Sequence, residues 1–274
     1  MRVGILLSLD AQIEKSIHRA RELGFASGQI SVWDMELYNV VQAEQLKAIC
    51  TGAHFEISAL WCGWSGPVDW SYPGMYTTLG LVPTWLRSRR LEDLLQGAAF
   101  GRLLGIRNII THIGFIPDNP FDENFIGIAE VLRVIGSELK KHDQRLLFET
   151  GEELPVTLIQ MMRTVGLDNL GVNFDPANLL SNGRSIDPVK SLHLLAPYLL
   201  GIHAKDAIPP AGIVPKGHET QIGRGEVNFP AMIGLLREIG YDGEITIEHE
   251  NVTGEEWERD VAESRVYING LLAH

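Results

Sequence analysis

Cysteine is scarce. Cys50 and Cys62 are the only two in 274 residues, and their spacing matches no metal motif. Such usage fits a reduced compartment, so a cytoplasmic location is expected. Long apolar runs are missing too: no stretch approaches the roughly 18 residues that a membrane helix needs. The first apolar run, in MRVGILLSLD, stops at Asp10. It is too short for a signal-peptide core with its cleavage site and reads as a first buried strand. Basic residues are outnumbered, 23 Lys and Arg against 35 Asp and Glu, for a net charge of −12. Proteins that bind a nucleic-acid backbone normally carry a basic surface, so neither a nucleic-acid nor a membrane partner is expected. A small anionic substrate is still allowed, because local fields can oppose the total. Ser/Gly-rich linkers, charge blocks and low-complexity tracts are absent, as are a Walker loop, a dinucleotide fingerprint after the first strand (SLDAQIEKS) and a nucleophile elbow.

What is present is alternation. With 45% hydrophobic and 21% charged residues, the composition is that of a globular domain. Strand-like runs fall near 3–8, 28–33, 54–61, 107–113, 145–150, 170–175, 200–205 and 244–249. Helical patterns fall between them, near 11–23, 42–51, 86–103, 122–142, 154–165, 187–196 and 228–239, with a last one near 255–272. Asp10 is placed to cap the first helix, Gly24 and Gly240 stand where helices end, and Asp187-Pro188 reads as a cap followed by proline at the first helical position. Eight strand–helix alternations imply parallel strands with crossover helices. A doubly wound open sheet also alternates, but it binds its ligand at a switch point instead of drawing side chains from strand after strand. The fold expected is therefore α/β, a (β/α)8 TIM barrel forming a single domain over 1–274.

Glu149, Asp175, His203 and Glu248 stand near the ends of four of these strands, in RLLFET, GVNFDP, LLGIHAKD and EITIEHE. Alternate side chains of a strand share a face. Leu146 and Phe148, Val172 and Phe174, Ile202 and Ala204, and Ile245 and Ile247 are apolar, as a face covered by helices requires. The four polar groups fall on the opposite face, toward the barrel axis, at the end where such barrels carry catalysis. Unrelated buried ion pairs are the alternative, but unpaired buried charge is costly. Two Glu, one Asp and one His make an oxygen-rich divalent site: Mn²⁺ is the expected ion, with Mg²⁺, Co²⁺ or Zn²⁺ also compatible. A cation there polarises a sugar carbonyl and stabilises the enediolate left when a neighbouring C–H loses its proton. Glu149 and Glu248 are then the acid/base pair. Removal of the proton from one face and return to the other is epimerisation; transfer between neighbouring carbons is aldose–ketose isomerisation.

Two long connections, 62–84 and 206–227, lie on the same end and are expected to form an ordered cover. Trp61, Trp64 and Trp70 are candidates for stacking on a sugar's C–H face, with loop packing as the competing role. His112 shares the inward parity of the fourth strand, and Lys205 that of His203; both are candidates for substrate oxygens, against a core histidine and an internal salt bridge. Glu152 is a further substrate candidate. Glu250 reads as a partner or rim charge, and His249, of opposite parity, as packed on a helix. Gly223, Arg224 and Gly225 offer amides and a cation to a phosphate or hydroxyl-rich tail, or form a plain turn.

The segments FETGEE, GVNFDPANLL, GIHAKDAI, G-x-G-E-V-N-F and ITIEHE resemble those of the sugar phosphate isomerase/epimerase group. That group belongs to the xylose-isomerase-like barrel superfamily, with tagatose-type 3-epimerases, inosose dehydratases and apurinic-site endonucleases. The resemblance implies metal ligation by Glu149, Asp175, His203 and Glu248 and proton transfer by Glu149 and Glu248. Homodimers or tetramers are common among such barrels, so a homo-oligomer is allowed. Tagatose-type epimerases are expected to carry a His three residues after the Asp ligand, touching substrate oxygen; here that position is Asn178, which hydrogen-bonds but carries no proton. The endonucleases add several His ligands for three zinc ions, whereas 206–227 offers only His218. The expected activity is a metal-dependent isomerase or epimerase of a small sugar, keto-sugar or sugar phosphate. A lyase using the same enediolate, a nucleic-acid phosphodiesterase and a non-catalytic sugar-binding barrel are the alternatives.

Overall fold

Apolar runs and helical periodicity resolve, in a computed structural model describing residues 1–151, 153–182, 186–211 and 216–273, into ten strands and ten α-helices. In chain order these are β1 (Arg2–Ser8), α1 (Ile13–Glu22), β2 (Ser27–Val32), α2 (Val40–Ala53), β3 (Glu56–Cys62), α3 (Met75–Thr78) and α4 (Arg87–Leu104). There follow β4 (Asn108–Thr111), α5 (Glu123–Lys140), β5 (Arg145–Glu149), α6 (Pro155–Val165), β6 (Leu170–Phe174), α7 (Pro176–Ser181) and α8 (Pro188–Leu195). The chain ends with β7 (Leu199–Ala204), β8 (Asp206–Ile208), β9 (His218–Thr220), α9 (Phe229–Glu238), β10 (Glu244–Ile247) and α10 (Gly254–Ala273).

Eight of the strands close into a parallel barrel in the order β1-β10-β7-β6-β5-β4-β3-β2, with β2 pairing back onto β1. The open-sheet alternative is thereby excluded. Strand parity is as the sequence implies. Leu146, Phe148, Val172, Phe174, Ile202, Ala204, Ile245 and Ile247 all belong to the large apolar layer shared with the helices. Ala59, Trp61, Ile110 and Leu147 form a smaller cluster inside the barrel. At the strands' N-terminal ends Glu244 accepts hydrogen bonds from Ser27 and Ser58 and pairs with Arg2. This polar plug closes the end of the barrel remote from the cover.

The eight expected helices are present, and three small features are additional. α7 starts at Pro176 with Asp175 as its cap, the same Asp-Pro device that starts α8 at Asp187-Pro188. α3 is a single turn inside the 62–84 connection. β8 and β9 pair antiparallel, Asp206 opposite Thr220 and Ile208 opposite His218, at three residues each too short for a periodic signal. One cap is displaced. Gln12, not Asp10, precedes α1, while the Asp10 carboxylate accepts the Gln12 backbone N–H at 2.7 Å. Gly24 and Gly240, at φ of 89° and 71°, close α1 and α9 as expected. No helix of the described residues is long and apolar enough to cross a membrane.

Candidate active site

Four consecutive barrel strands, β10, β7, β6 and β5, bring the predicted ligands together. Glu149 is the last residue of β5, Asp175 follows β6, His203 lies in β7 and Glu248 follows β10. One ligand atom from each falls within 4.8 Å of all the others, and all four residues are buried. The local chemistry explains how each is aimed. Asp175 spends Oδ1 on the helix it caps, accepting from Ala177 N at 2.8 Å and Asn178 N at 3.0 Å. Its Oδ2 is buried with no hydrogen-bond partner. Its backbone is tied to β5 through Thr150, whose Oγ1 accepts from Asp175 N at 2.8 Å.

His203 is held from behind. Its Nε2 lies 2.8 Å from Gln29 Oε1, and Gln29 Nε2 donates to Asn173 Oδ1 at 3.4 Å. An amide oxygen only accepts, so Nε2 carries a proton and Nδ1 faces the cluster. There Nδ1 is 2.8 Å from Glu248 Oε2 and 3.2 Å from Glu149 Oε1. Gly201, one strand step from His203, makes room for this arrangement: a Cβ at that position would meet Asn173 Oδ1 at 2.4 Å. Glu149 is held by Trp61, whose indole N–H donates to Oε2, and by Asn178 Nδ2 at 3.4 Å from Oε1. His112 Nε2 stands 3.5 Å from the same Oε1.

The electrostatics are those of a site built for positive charge. Burial pushes the Asp175 carboxyl well above its ordinary range, with Glu248 and Glu149 adding to the shift against Lys205. Burial works the other way on His203, yet Glu149 and Glu248 outweigh it and hold the imidazole well above its usual value. Glu248 is drawn down by Lys205 and His203 against the cost of burial. Three buried carboxylates, an imidazole whose Nδ1 faces them and an Asp175 Oδ2 without a hydrogen-bond partner fit a divalent cation, which would take the place of the Nδ1 proton. Hydrogen bonds such as those between Gln29 and His203 and between Trp61 and Glu149 fix ligand orientation in known metal sites.

The site opens into a cavity of about 1140 Å³ at the barrel mouth, lined among others by Trp61, Trp70, His112, Glu149, Asn178, Lys205 and Glu248. Other expected site residues are placed differently. Trp64 is not on the cavity wall. It is buried behind Trp61, ring centroids 6.0 Å apart, with the Arg90 guanidinium 5.2 Å over its ring. Lys205 reaches the cavity but forms the internal salt bridges that were the competing reading: 2.6 Å to Glu250, 3.4 Å to Glu248 and 3.9 Å to Glu219. Arg224 is away from the cavity, largely exposed and 3.9 Å from Glu263. The amides of Gly223 and Gly225 both donate to Asp206 Oδ2 at 2.9 Å, so an internal carboxylate occupies the turn offered to a phosphate. Glu152 lies outside the described residues. His249 contacts Glu219 and, on α10, Asp260.

The 62–84 connection is an ordered wall. Arg90, buried on α4, donates to the carbonyls of Ser65, Pro67, Thr78 and Gly80, at 3.1, 3.0, 2.6 and 2.6 Å. Arg87 adds the carbonyls of Leu81 and Val82, and Asp93 accepts from Ser65 N and Oγ. Residues spaced three apart on one helix face thus hold the segment that carries Trp70. Sequence reasoning missed Gln29, Trp33 and Glu219. Trp33, 42% exposed, lines the cavity and packs on Trp61 at 4.9 Å. The signal for the first two was available, since Gln29, Ser31 and Trp33 share the inward parity of β2, opposite Ile30 and Val32.

The sequence profile of the xylose isomerase-like TIM barrel family matches residues 17–269, and the chain belongs to that family. An uncharacterized protein of Methanocaldococcus jannaschii is 26% identical over 199 residues, which is 66% of this chain. The match spans only 61% of that relative's length. The crystal structure of a xylose isomerase domain protein from Planctomyces limnophilus superposes with a TM-score of 0.90 at 28% identity, covering 98% of this chain and 96% of that one. D-psicose 3-epimerase from Clostridium cellulolyticum H10, solved with D-tagatose, gives a TM-score of 0.73 at 16% identity, with 99% of both chains covered. At that identity the likeness is one of fold.

Proposed function

We propose that the chain is a divalent-metal-dependent isomerase or epimerase of a small sugar or keto-sugar, in which Glu149 and Glu248 move the proton. The observation that carries this is the placing of the two glutamates. They end the outermost strands, β5 and β10, of the four-strand arc, and their side chains converge on one cluster at the floor of the cavity. Glu149, Asp175, His203 and Glu248 would hold the cation, Mn²⁺ or Mg²⁺ by ligand hardness. Bound there, the ion supplies Lewis acidity, polarising a carbonyl and acidifying the adjacent C–H.

The protein's own groups do the rest. One glutamate takes the proton from carbon, leaving the electron pair in the enediolate of the substrate. The other returns a proton to the opposite face, which inverts the centre, or a proton is returned to the neighbouring carbon, which isomerises the sugar. Trp61 and Asn178 fix the Glu149 carboxylate for this work. Trp61 and Trp70 form an apolar wall that keeps water from the reacting carbon. The amide of Asn178 is placed to bond a sugar hydroxyl without exchanging a proton. The sugar chemistry of the psicose epimerase supports the same reading.

The test is incubation of the Mn²⁺-loaded protein with a panel of sugars in deuterated solvent. Incorporation of deuterium at carbon next to the carbonyl is expected, with loss of exchange in Glu149→Gln and Glu248→Gln. A folded, metal-loaded protein that exchanges no sugar C–H would end the proposal.

A further inference from the structure

The cluster uses one arc of the barrel, and the cavity extends well beyond it. Glu149, His112 and Asn178 are part of its lining. The lining also includes residues that follow β1, from Asp10 to Ser16, and residues that follow β10, from Asn251 to Trp257; β1 and β10 are neighbours in the barrel. A hexose has the volume of roughly six waters, about 180 Å³ at about 30 Å³ each. One ring therefore fills a small part of a cavity of about 1140 Å³.

The residues that follow β1 and β10 have the chemistry of a sugar subsite. Ser8, Gln12, Ser16 and Asn251 are neutral and offer hydroxyl or amide groups, and Trp257 adds an aromatic surface. Trp33, 42% exposed, stands in the same lining beside β1. The lining does not suit an anion. Besides Glu149 and Glu248, which would face the cation, it includes the carboxylates of Asp10, Glu219 and Glu250, and no guanidinium among the described residues. Lys205 is surrounded by three of those carboxylates, and Lys216 Nζ donates to the Trp70 carbonyl at 2.8 Å. The amides of Gly223 and Gly225 are bound to Asp206.

We infer that the substrate is an uncharged two-ring sugar, a keto-glycoside or ketose disaccharide. Its keto ring lies against Glu149 and Glu248, and its second ring lies between the Ser8–Ser16 connection and Trp257. The inference rests on the sugar reading above and narrows it: no phosphate, and a second ring that adds binding.

The experiment is calorimetric titration of the Mn²⁺-loaded protein with D-fructose, D-fructose 6-phosphate and the ketose disaccharides lactulose, turanose and isomaltulose, with deuterium incorporation followed in parallel. At least one disaccharide is expected to bind ten times more tightly than fructose, and the phosphate no more tightly than fructose. Gln12→Ala and Trp257→Ala are expected to cut the disaccharide-to-fructose affinity ratio severalfold. Fructose exchanging and binding as well as every disaccharide, or fructose 6-phosphate binding tightest, overturns the second subsite while leaving the proton-transfer reading intact. Absence of binding and exchange with every sugar overturns both.

Discussion

Replacing Gln29 by leucine tests how the imidazole is prepared for a cation. The amide oxygen 2.8 Å from His203 Nε2 keeps a proton on that nitrogen, so the Nδ1 proton is the one a cation displaces. Without it a buried N–H loses its acceptor, and the proton is better placed on Nδ1, where Glu149 and Glu248 wait at 3.2 and 2.8 Å. That tautomer has no lone pair for a metal. Cation binding through Nδ1 must then leave the proton on Nε2, buried with no acceptor, at a cost of about 1–3 kcal/mol, which is roughly a 5- to 100-fold loss of affinity. The assay is Mn²⁺ titration monitored by electron paramagnetic resonance of the free ion, with ¹⁵N-histidine spectra of the metal-free protein reporting the tautomer. Gln29→Glu restores an acceptor and is expected to recover most of the affinity. Binding by Gln29→Leu within twofold of the parent protein would refute the argument.

Other perturbations separate the parts of the site. Asp175→Asn keeps an oxygen for the α7 cap, so thermal stability is expected to stay within about 1 kcal/mol of the parent, while Mn²⁺ affinity drops at least tenfold; equal affinity by calorimetry would show that Oδ2 is not a ligand. Arg90→Met leaves four backbone carbonyls of the 62–84 wall without their donor. A cost of about 3 kcal/mol is expected, seen as a Tm lowered by roughly 6–12 °C, with amide exchange accelerated in that segment; unchanged exchange there would contradict the tether. Burial pushes the Cys50 thiol up to about 11 and the Cys62 thiol up to about 12. Both stay protonated and unreactive toward an alkylating reagent at pH 8 in the native protein. Unfolded thiols ionise near 8.5. This contribution to stability is therefore complete below that pH and is lost as pH rises to about 11 for Cys50 and about 12 for Cys62, a trend that Cys50→Ala/Cys62→Ala should flatten in denaturant titrations.

The barrel and its buried polar cluster were legible because they repeat one rule: apolar outward-facing residues beside an inward polar group, at the end of successive strands. The same rule applied to β2 would have found Gln29 and Trp33, but their strand carries no charged residue to draw notice. Lys205 was harder to place. Its parity aims it into the barrel mouth, yet Glu219 and Glu250 come from connections whose course the sequence pattern does not fix. Arg224 and the flanking glycines misled for a related reason. A G-x-G turn presents amides whether its partner is a ligand or a side chain, and here the Asp206 carboxylate is the partner. The wall at 62–84 was expected as a cover from its length and its aromatics. That α4 holds it through Arg87, Arg90 and Asp93 required coordinates, since arginine on a helix is more often solvated than buried.

Asp175 shows why position and chemistry coincide in this chain. One carboxylate oxygen starts a helix and is fixed by two backbone N–H groups. Rigid placement of that oxygen determines where the other points. The second oxygen is therefore held toward Glu149, His203 and Glu248 by a local folding signal, Asp-Pro, and not by a partner in the cluster. Such an atom is costly to bury in the absence of a donor or cation. Its cost is tolerable because the cap offsets part of it, and because a cation would bring Oδ2 the interaction it lacks. A residue chosen only for stability at that cap would serve equally well as serine or asparagine. A carboxylate there, facing two others across a buried floor, makes sense as half of an interaction completed by positive charge.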